Sequence, residues 1–114
     1  LLNGYHTSIM TLTREERKRF GIKNGDTEGF VNIPLQIMGM RLSVFLTEDT
    51  EHPGIVKVSL RSVDDFPCNL MAEEFFNGGR HKNASGGRIQ CTMDEAVECV
   101  KQAVNKYRKW LKDV

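Results

Sequence analysis

Alternation of apolar and polar residues along the chain predicts several short strands. The clearest is Ile55–Ser62, where the two kinds of side chain alternate with the period of two that a half-buried strand requires. Three more strands are predicted at Tyr5–Leu12, Arg41–Thr47 and Gly86–Cys91. The polar segment before Ile55 ends in Pro-Gly, so the second and third strands in chain order are expected to form a hairpin.

Capping residues and glycines predict helices between these strands. Thr13 and Glu16 have the spacing of a capping box, and Gly21 is expected to end the short helix that they open. A second helix is expected after Asp26 or Thr27, with a proline in its course.

Two further helices are predicted, one in the middle of the chain and a longer one at its end. Asn69 is expected to cap the first of them, and Gly78 to end it. Thr92 and Glu95 form another capping box, and from Ala96 to the C-terminus apolar residues recur at spacings of three and four. The chain is therefore predicted to be an α/β (α+β) domain with a long C-terminal amphipathic helix.

Length and composition limit the class of protein. With 114 residues and a mass of 13.0 kDa, the chain has room for one domain, residues 1–114. Apolar residues are 39% of the chain and charged residues 27%, proportions that exclude a disordered or fibrous protein. The net charge of +1 argues against a protein that coats nucleic acid through bulk charge.

The sequence also sets expectations about the protein's surroundings. Apolar runs fall far short of the roughly 20 residues of a membrane span, so no membrane partner is expected. The three cysteines lack a CxxC spacing, which favours free thiols and a cytoplasmic location. Because the chain begins at Leu1, we expect it to be part of a longer protein.

The segment from Gly78 to Gly87 combines glycines with positive charge. It holds four of the ten glycines in the chain, together with Arg80, His81 and Lys82. Glycine lets a ligand approach the main chain closely, and successive backbone N–H groups can form an anion site that cations strengthen. The alternative is structural, with the first glycine pair ending a helix and the second forming a strand bulge.

Arg61 is the second candidate for binding an anion. It lies on the polar face of its predicted strand with Ser59, opposite the apolar side chains, and a guanidinium forms a planar fork that suits phosphate. An exposed arginine at a strand end is the alternative. The sequence has no metal-ligand spacing, no nucleophile elbow and no GxxxxGK[ST] loop, so no catalytic or metal-binding residue is predicted.

The order of these motifs resembles a known family. VSLRS at Val58–Ser62, then Asn69, then GGRHKNASGG at Gly78–Gly87 resemble the DHHA-type C-terminal domain of DHH phosphoesterases. The likeness is strongest among oligoribonuclease/phosphoadenosine-phosphate phosphatase proteins and exopolyphosphatase-related proteins. The family pattern is GGGHxxAAG, so Arg80 occupies the third glycine position and Ser85 replaces an alanine.

The resemblance implies a fold, a partner domain and a function. It implies a mixed sheet of about five strands flanked by helices, behind an N-terminal DHH domain of the same chain that holds manganese. A homodimer is one expected assembly. The expected ligand is short single-stranded RNA or a phosphorylated nucleotide, with inorganic polyphosphate or a non-catalytic RNA-binding role as alternatives. The implied substrate-binding residues are Arg61, Ser62, Gly78, Gly79, Arg80, His81, Lys82, Asn83 and Ala84.

Overall fold

A four-stranded mixed sheet forms the centre of the part of the chain that the structure describes. The computed structural model describes residues 6–21, 40–49, 51–63 and 66–111, apart from the side chain of Trp110. Strand β1 (Thr7–Leu12) runs parallel to β2 (Leu42–Glu48). Strand β3 (Ile55–Ser62) is antiparallel to β2 and to β4 (Ala84–Gln90). The α/β class, the hairpin and the mixed sheet are confirmed, with four strands in these residues where about five were expected.

Among the described residues, four helical segments accompany the sheet: α1 (Arg14–Phe20), α2 (Cys68–Phe75), α3 (Met93–Lys106) and the single turn α4 (Arg108–Leu111). Both predicted capping boxes are present, at the N-termini of α1 and α3. Within the described ranges, no helix combines the length and apolar character needed to cross a membrane. The helix predicted after Asp26 or Thr27 lies outside the described residues.

Two predicted helix boundaries are wrong. The residue that caps α2 is Pro67, and Asn69 lies inside the first turn with its buried Oδ1 atom unpaired. At the other end of the chain, α3 stops at Lys106 and Tyr107 separates it from α4. Tyr107 donates a hydrogen bond to Glu74 on α2 (3.0 Å), and its ring lies 6.0 Å from that of Phe66. These tertiary contacts anchor the residue at which the helix is interrupted.

The core lies between one face of the sheet and helices α2 and α3. On β3 the even-numbered side chains Val56, Val58 and Leu60 are buried there, as the alternation predicts. The odd-numbered side chains of the same strand point to the opposite face and are only partly buried or exposed. The face of β3 and β4 that carries Arg61 is therefore the one turned away from the main core.

The environment of Tyr107 gives a prediction for high pH. Partial burial, and then the hydrogen bond to Glu74, raise the pKa of Tyr107 to about 12. Because the folded pKa exceeds the unfolded value, this stabilisation is complete below the unfolded pKa and is lost as pH rises towards 12. We expect absorbance titration at 295 nm to show a tyrosine component near this pH that Tyr107→Phe abolishes. If the natural protein and Tyr107→Phe both showed tyrosine titration only at the ordinary tyrosine pKa, the hydrogen bond between Tyr107 and Glu74 would be contradicted.

Candidate functional site

One cavity brings the two candidate anion-binding segments together. It lies on the face of β3 and β4 that carries Arg61 and has a volume of about 390 Å³. In the sheet register Arg61 pairs with Ala84, and Ser59 pairs with Gly86. We name it the Arg61 cavity, and its lining residues are Ser59, Arg61, Gly79, Arg80, His81, Ala84, Ser85 and Gly86.

The Arg61 side chain is oriented by main-chain carbonyl groups. Its Nη1 atom donates to the oxygen of Leu60 at 2.8 Å and, more weakly, to the oxygen of Ser85 at 3.4 Å. No described carboxylate forms an ion pair with Arg61. The guanidinium is therefore held in place through one nitrogen, which leaves its other donors and its full charge for a ligand.

A tight turn positions the residues at the mouth of the cavity. The backbone groups of His81 and Ala84 bond to each other in both directions, so Lys82 and Asn83 form the tip of the turn. Asn83 Nδ2 donates to Ser62 Oγ at 2.9 Å, and Ser62 Oγ donates to the Phe66 oxygen at 2.9 Å. Ser62 and Asn83 thus anchor the turn to the end of β3.

Ser85 ties the two sides of the cavity together. Its side chain is 4% exposed, and its hydroxyl accepts from the Arg80 N–H at 2.9 Å and donates to the His81 oxygen at 2.7 Å. Its carbonyl oxygen accepts the weaker hydrogen bond from Arg61. The same residue therefore contacts the strand arginine and the loop arginine.

Three glycines of the segment lie so close to other parts of the protein's backbone that a side chain in their place would clash. A Cβ atom on Gly78 would lie 1.8 Å from the Gly86 oxygen, and one on Gly87 would lie 1.9 Å from the Phe76 oxygen. A Cβ on Gly86 would lie 2.6 Å from the Val58 oxygen. The register of β4 is unbroken from Ala84 to Gln90, so the bulge offered as the structural alternative for Gly86 and Gly87 is absent there. At these positions glycine allows close approach between β4 and neighbouring backbone of the protein itself.

Gly79 differs from the other glycines because it lines the cavity. Its φ of +122° lies in the range that favours glycine, and its N–H donates to the Gly86 oxygen at 3.0 Å. A Cβ atom there would lie 2.7 Å from Cγ of Glu73 on α2. Both the conformation and the space therefore require glycine at this position.

The predicted site residues divide into two groups. Five of them line the Arg61 cavity, namely Arg61, Gly79, Arg80, His81 and Ala84. The other four lie around it in supporting positions, namely Ser62, Gly78, Lys82 and Asn83. Sequence reasoning missed Ser59, Ser85 and Gly86 as lining residues. The strand register would have found two of them, since Ser59 shares the pleat face of Arg61 and Gly86 pairs with Ser59.

The charge of the cavity is positive. Among its eight lining residues two are arginines and none is acidic. Like Arg61, Arg80 has no ion pair with any described carboxylate. Two arginines in the wall of one cavity, with no acidic residue among the lining residues, favour an anionic ligand.

Groups that would perform covalent or metal chemistry are absent from the described part of the site. Cys68 is fully buried beneath the turn, with Sγ 3.9 Å from the oxygens of Leu60 and His81. Burial raises the pKa of the Cys68 thiol, so it stays protonated near neutral pH and is a poor nucleophile. Within the described ranges, no three His, Cys, Asp or Glu side chains are grouped so that they could hold a metal ion.

A second cavity, at the hairpin end of β3, has mixed charge. Its volume is about 240 Å³, and Asp49 in its wall lies 3.9 Å from Arg88. Asp49 accepts the N–H groups of Glu51 and His52, and these bonds lower the pKa of its carboxyl. Three basic and three acidic residues line it beside His52, namely Arg17, Lys57, Arg88, Glu48, Asp49 and Glu51. Because these charges offset one another, it is less suited to an anion than the Arg61 cavity.

Comparisons with known proteins identify the family of the chain. The family model described as the DHHA1 domain matches residues 4–113 of the chain. The chain belongs to the DHHA1 domain family. This assignment confirms the resemblance drawn from VSLRS and the glycine-rich segment. A search of curated proteins finds no match to this DHHA1 domain.

Two solved structures are similar to this chain. An exopolyphosphatase-related protein from Bacteroides fragilis is 51% identical, with a TM-score of 0.91 over 99% of this chain and 32% of that chain. An uncharacterized protein from Helicobacter pylori G27 is 21% identical, with a TM-score of 0.56 over 87% of this chain and 25% of that chain, and shows the fold alone. The chain therefore spans about a third of the length of the first protein and a quarter of the second.

Proposed function

We propose that this DHHA1 domain is the substrate-recognition domain of a manganese-dependent DHH phosphoesterase that hydrolyses short oligoribonucleotides or small phosphorylated nucleotides. The supporting observation is the Arg61 cavity, where a strand arginine, a loop arginine and His81 surround a space with no acidic lining residue. Arg61 binds a substrate phosphate, and the loop through Gly79 and His81 closes over it. DHHA1 membership and the exopolyphosphatase-related neighbour support a phosphoesterase context.

The size of the cavity favours a nucleotide over phosphate alone. About 390 Å³ lies within the range of pockets that enclose small organic ligands, roughly 300–1,000 Å³. A phosphate group fills a small part of this volume, which leaves room for a sugar or base. His81 and Ser59 supply a ring and a hydroxyl in the same wall.

In this proposal the metal belongs to another domain of the same protein. Among the described residues of the DHHA1 domain, no group of His, Cys, Asp or Glu side chains offers a ligand set for manganese. A DHH domain preceding it in the full-length protein would hold the ion, which would supply activation of water for attack on phosphorus. The DHHA1 domain positions the substrate phosphate for that reaction, in the cytoplasm, and the proposed assembly is a homodimer.

Hydrolysis by the full-length protein with Mn²⁺ tests the proposal against its two alternatives. We expect it to cleave 5′-phosphorylated RNA of two to five nucleotides, and we expect inorganic polyphosphate to compete weakly. Preferential hydrolysis of polyphosphate would establish the exopolyphosphatase alternative. RNA binding without hydrolysis, with no DHH motif elsewhere in the protein, would establish an RNA-binding module. Either of these two results overturns the proposed substrate.

A further inference from the structure

A buried hydroxyl beside Arg61 has no hydrogen-bond partner among the residues that the structure describes. Ser43 on β2 is 0% exposed, and its Oγ atom is unpaired. Buried polar groups in folded proteins nearly always have a partner, because an unpaired group has given up its hydrogen bonds to water and gained nothing in return. A residue that breaks this rule is typical of a functional site.

The sheet register places this hydroxyl next to Arg61. Ser43 is paired directly with Arg61 on β3, so the two side chains share one face of the sheet. The Cβ atoms of such a pair lie about 4.5–5.5 Å apart, within the length of an arginine side chain. On its other side Arg61 is paired with Ala84, which lines the Arg61 cavity. The cavity therefore opens on the β4 side of Arg61, and the buried hydroxyl lies on its β2 side.

Packing on this part of β2 does not explain a serine. Two residues further along the same face, Phe45 is buried in an apolar cluster with Met10 and Leu12. Alanine at position 43 would suit a fully buried place next to this cluster, and it would avoid the cost of an unpaired hydroxyl. A function that needs the hydroxyl explains the serine better than packing does.

The hydrogen bonds of Arg61 allow its guanidinium to change orientation. Its Nη1 atom donates to the Leu60 oxygen at 2.8 Å, but the Ser85 oxygen lies 3.4 Å away and is a weak acceptor. A phosphate oxygen in the cavity would displace this weak acceptor, because charge-assisted hydrogen bonds are stronger. The guanidinium can then turn about its bond to the Leu60 oxygen and direct another N–H towards Ser43.

We propose that Ser43 is a positioning residue whose hydroxyl accepts an N–H of Arg61 when an anion occupies the Arg61 cavity. Ser43 acts through Arg61, since it is fully buried and is not one of the residues that line the cavity. The inference rests on the proposed function, in which Arg61 binds a substrate phosphate. It adds that the hydroxyl is unsatisfied in the free protein and gains its hydrogen bond only in the complex.

Ser43→Ala should have opposite effects on affinity and on stability in the full-length protein. Calorimetry with adenosine 5′-monophosphate as the probe should show binding weakened about fivefold, because the complex loses one hydrogen bond. Without ligand, the thermal unfolding midpoint should rise by about 1–3 °C, because an unpaired buried hydroxyl is removed. A lower midpoint would show that the hydroxyl has a partner in the free protein, such as a buried water. That result, or an unchanged affinity, would overturn the proposal.

Ser8→Ala is the matched control for a hydroxyl removed from this face of the sheet. Ser8 is also buried, at 5% exposure, and it is paired with Ser43 on the side away from Arg61. Its replacement should leave the affinity for adenosine 5′-monophosphate unchanged, because one strand separates it from Arg61. An equal loss of affinity in both variants would show that any gap in this face weakens binding, and the role assigned to Ser43 would be wrong.

A double-mutant cycle tests whether Ser43 acts through Arg61. In the Arg61→Ala background, Ser43→Ala should change the affinity less than about twofold, because the donor is absent. A loss as large as in the natural protein would contradict the positioning role. If Arg61→Ala weakens binding and Ser43→Ala does not, the inference fails and the proposed function stands. If Arg61→Ala has no effect, the proposed function fails and the inference fails with it.

Discussion

Replacing Arg61 by alanine should weaken the binding of a phosphorylated nucleotide to the full-length protein by roughly 10- to 100-fold, because a hydrogen-bonded charge contributes about 1.5–3 kcal/mol. The guanidinium is fixed by the Leu60 and Ser85 oxygens and has no acidic partner among the described residues. A phosphate would therefore meet a donor that is already oriented. The effect should appear in Kd or KM, measured by calorimetry and by steady-state kinetics. Arg61→Lys should recover part of the affinity, because it restores charge without the fork.

Lys57→Ala is the matched control for this measurement. Lys57 lies on the same face of β3, four residues from Arg61, and is exposed outside the Arg61 cavity. It removes the same formal charge, so a general electrostatic effect would lower affinity in both variants. A direct phosphate contact should also reduce the slope of log affinity against log salt by about one for Arg61→Ala. Equal losses of affinity in the two variants would mean that Arg61 acts through net charge alone.

Local sequence pattern predicted which face of its strand Arg61 occupies. The alternation along Ile55–Ser62 places Arg61 opposite Val58 and Leu60, and the structure has this arrangement. Capping boxes predicted the start of α1 and of α3 because their hydrogen bonds join residues only three apart. Features set by contacts within one element could therefore be predicted from the sequence.

Contacts between distant segments could not be predicted in the same way. The pairing of Arg61 with Ala84 creates the cavity, and the strand pattern alone does not specify this register. Ser62 and Asn83 support the turn through a hydrogen bond between residues that are 21 positions apart in the chain. The family resemblance links Arg61 to the glycine-rich segment, although the strand pattern does not give their register.

The glycines show why a correct motif can carry a partly wrong explanation. The sequence suggests that glycine admits a ligand or ends an element, whereas Gly78 and Gly87 admit neighbouring backbone. Phe76 accepts a hydrogen bond from the Arg88 N–H at 3.0 Å, and Gly79 donates to the Gly86 oxygen at 3.0 Å. The end of α2 is thereby joined directly to β4. The glycines hold the turn in place, and the turn forms the wall of the cavity.

Gly87→Ala should consequently destabilise the domain more than alanine at a glycine that has open space around it. The added Cβ would lie 1.9 Å from the Phe76 oxygen and 2.8 Å from its carbonyl carbon, so the end of α2 must move away from β4. We expect the free energy of unfolding to fall by more than about 3 kcal/mol, since overpacking against backbone exceeds the usual cost of an extra methyl in a core. Urea denaturation and hydrogen exchange of peptides from 76–79 and 84–90 measure the effect.

Gly54→Ala separates this clash from the conformational cost of replacing glycine. Gly54 has a φ of +85° and open space around its Cβ position, so alanine there should cost about 1–2 kcal/mol from backbone strain alone. Its effect should stay in the hairpin between β2 and β3 and leave nucleotide binding unchanged. Gly87→Ala should instead increase exchange at the α2–β4 junction and weaken nucleotide binding, because Gly79 in the cavity wall depends on that junction. A smaller loss for Gly87→Ala than for Gly54→Ala would show that the junction is pliable and that the cavity wall is built in another way.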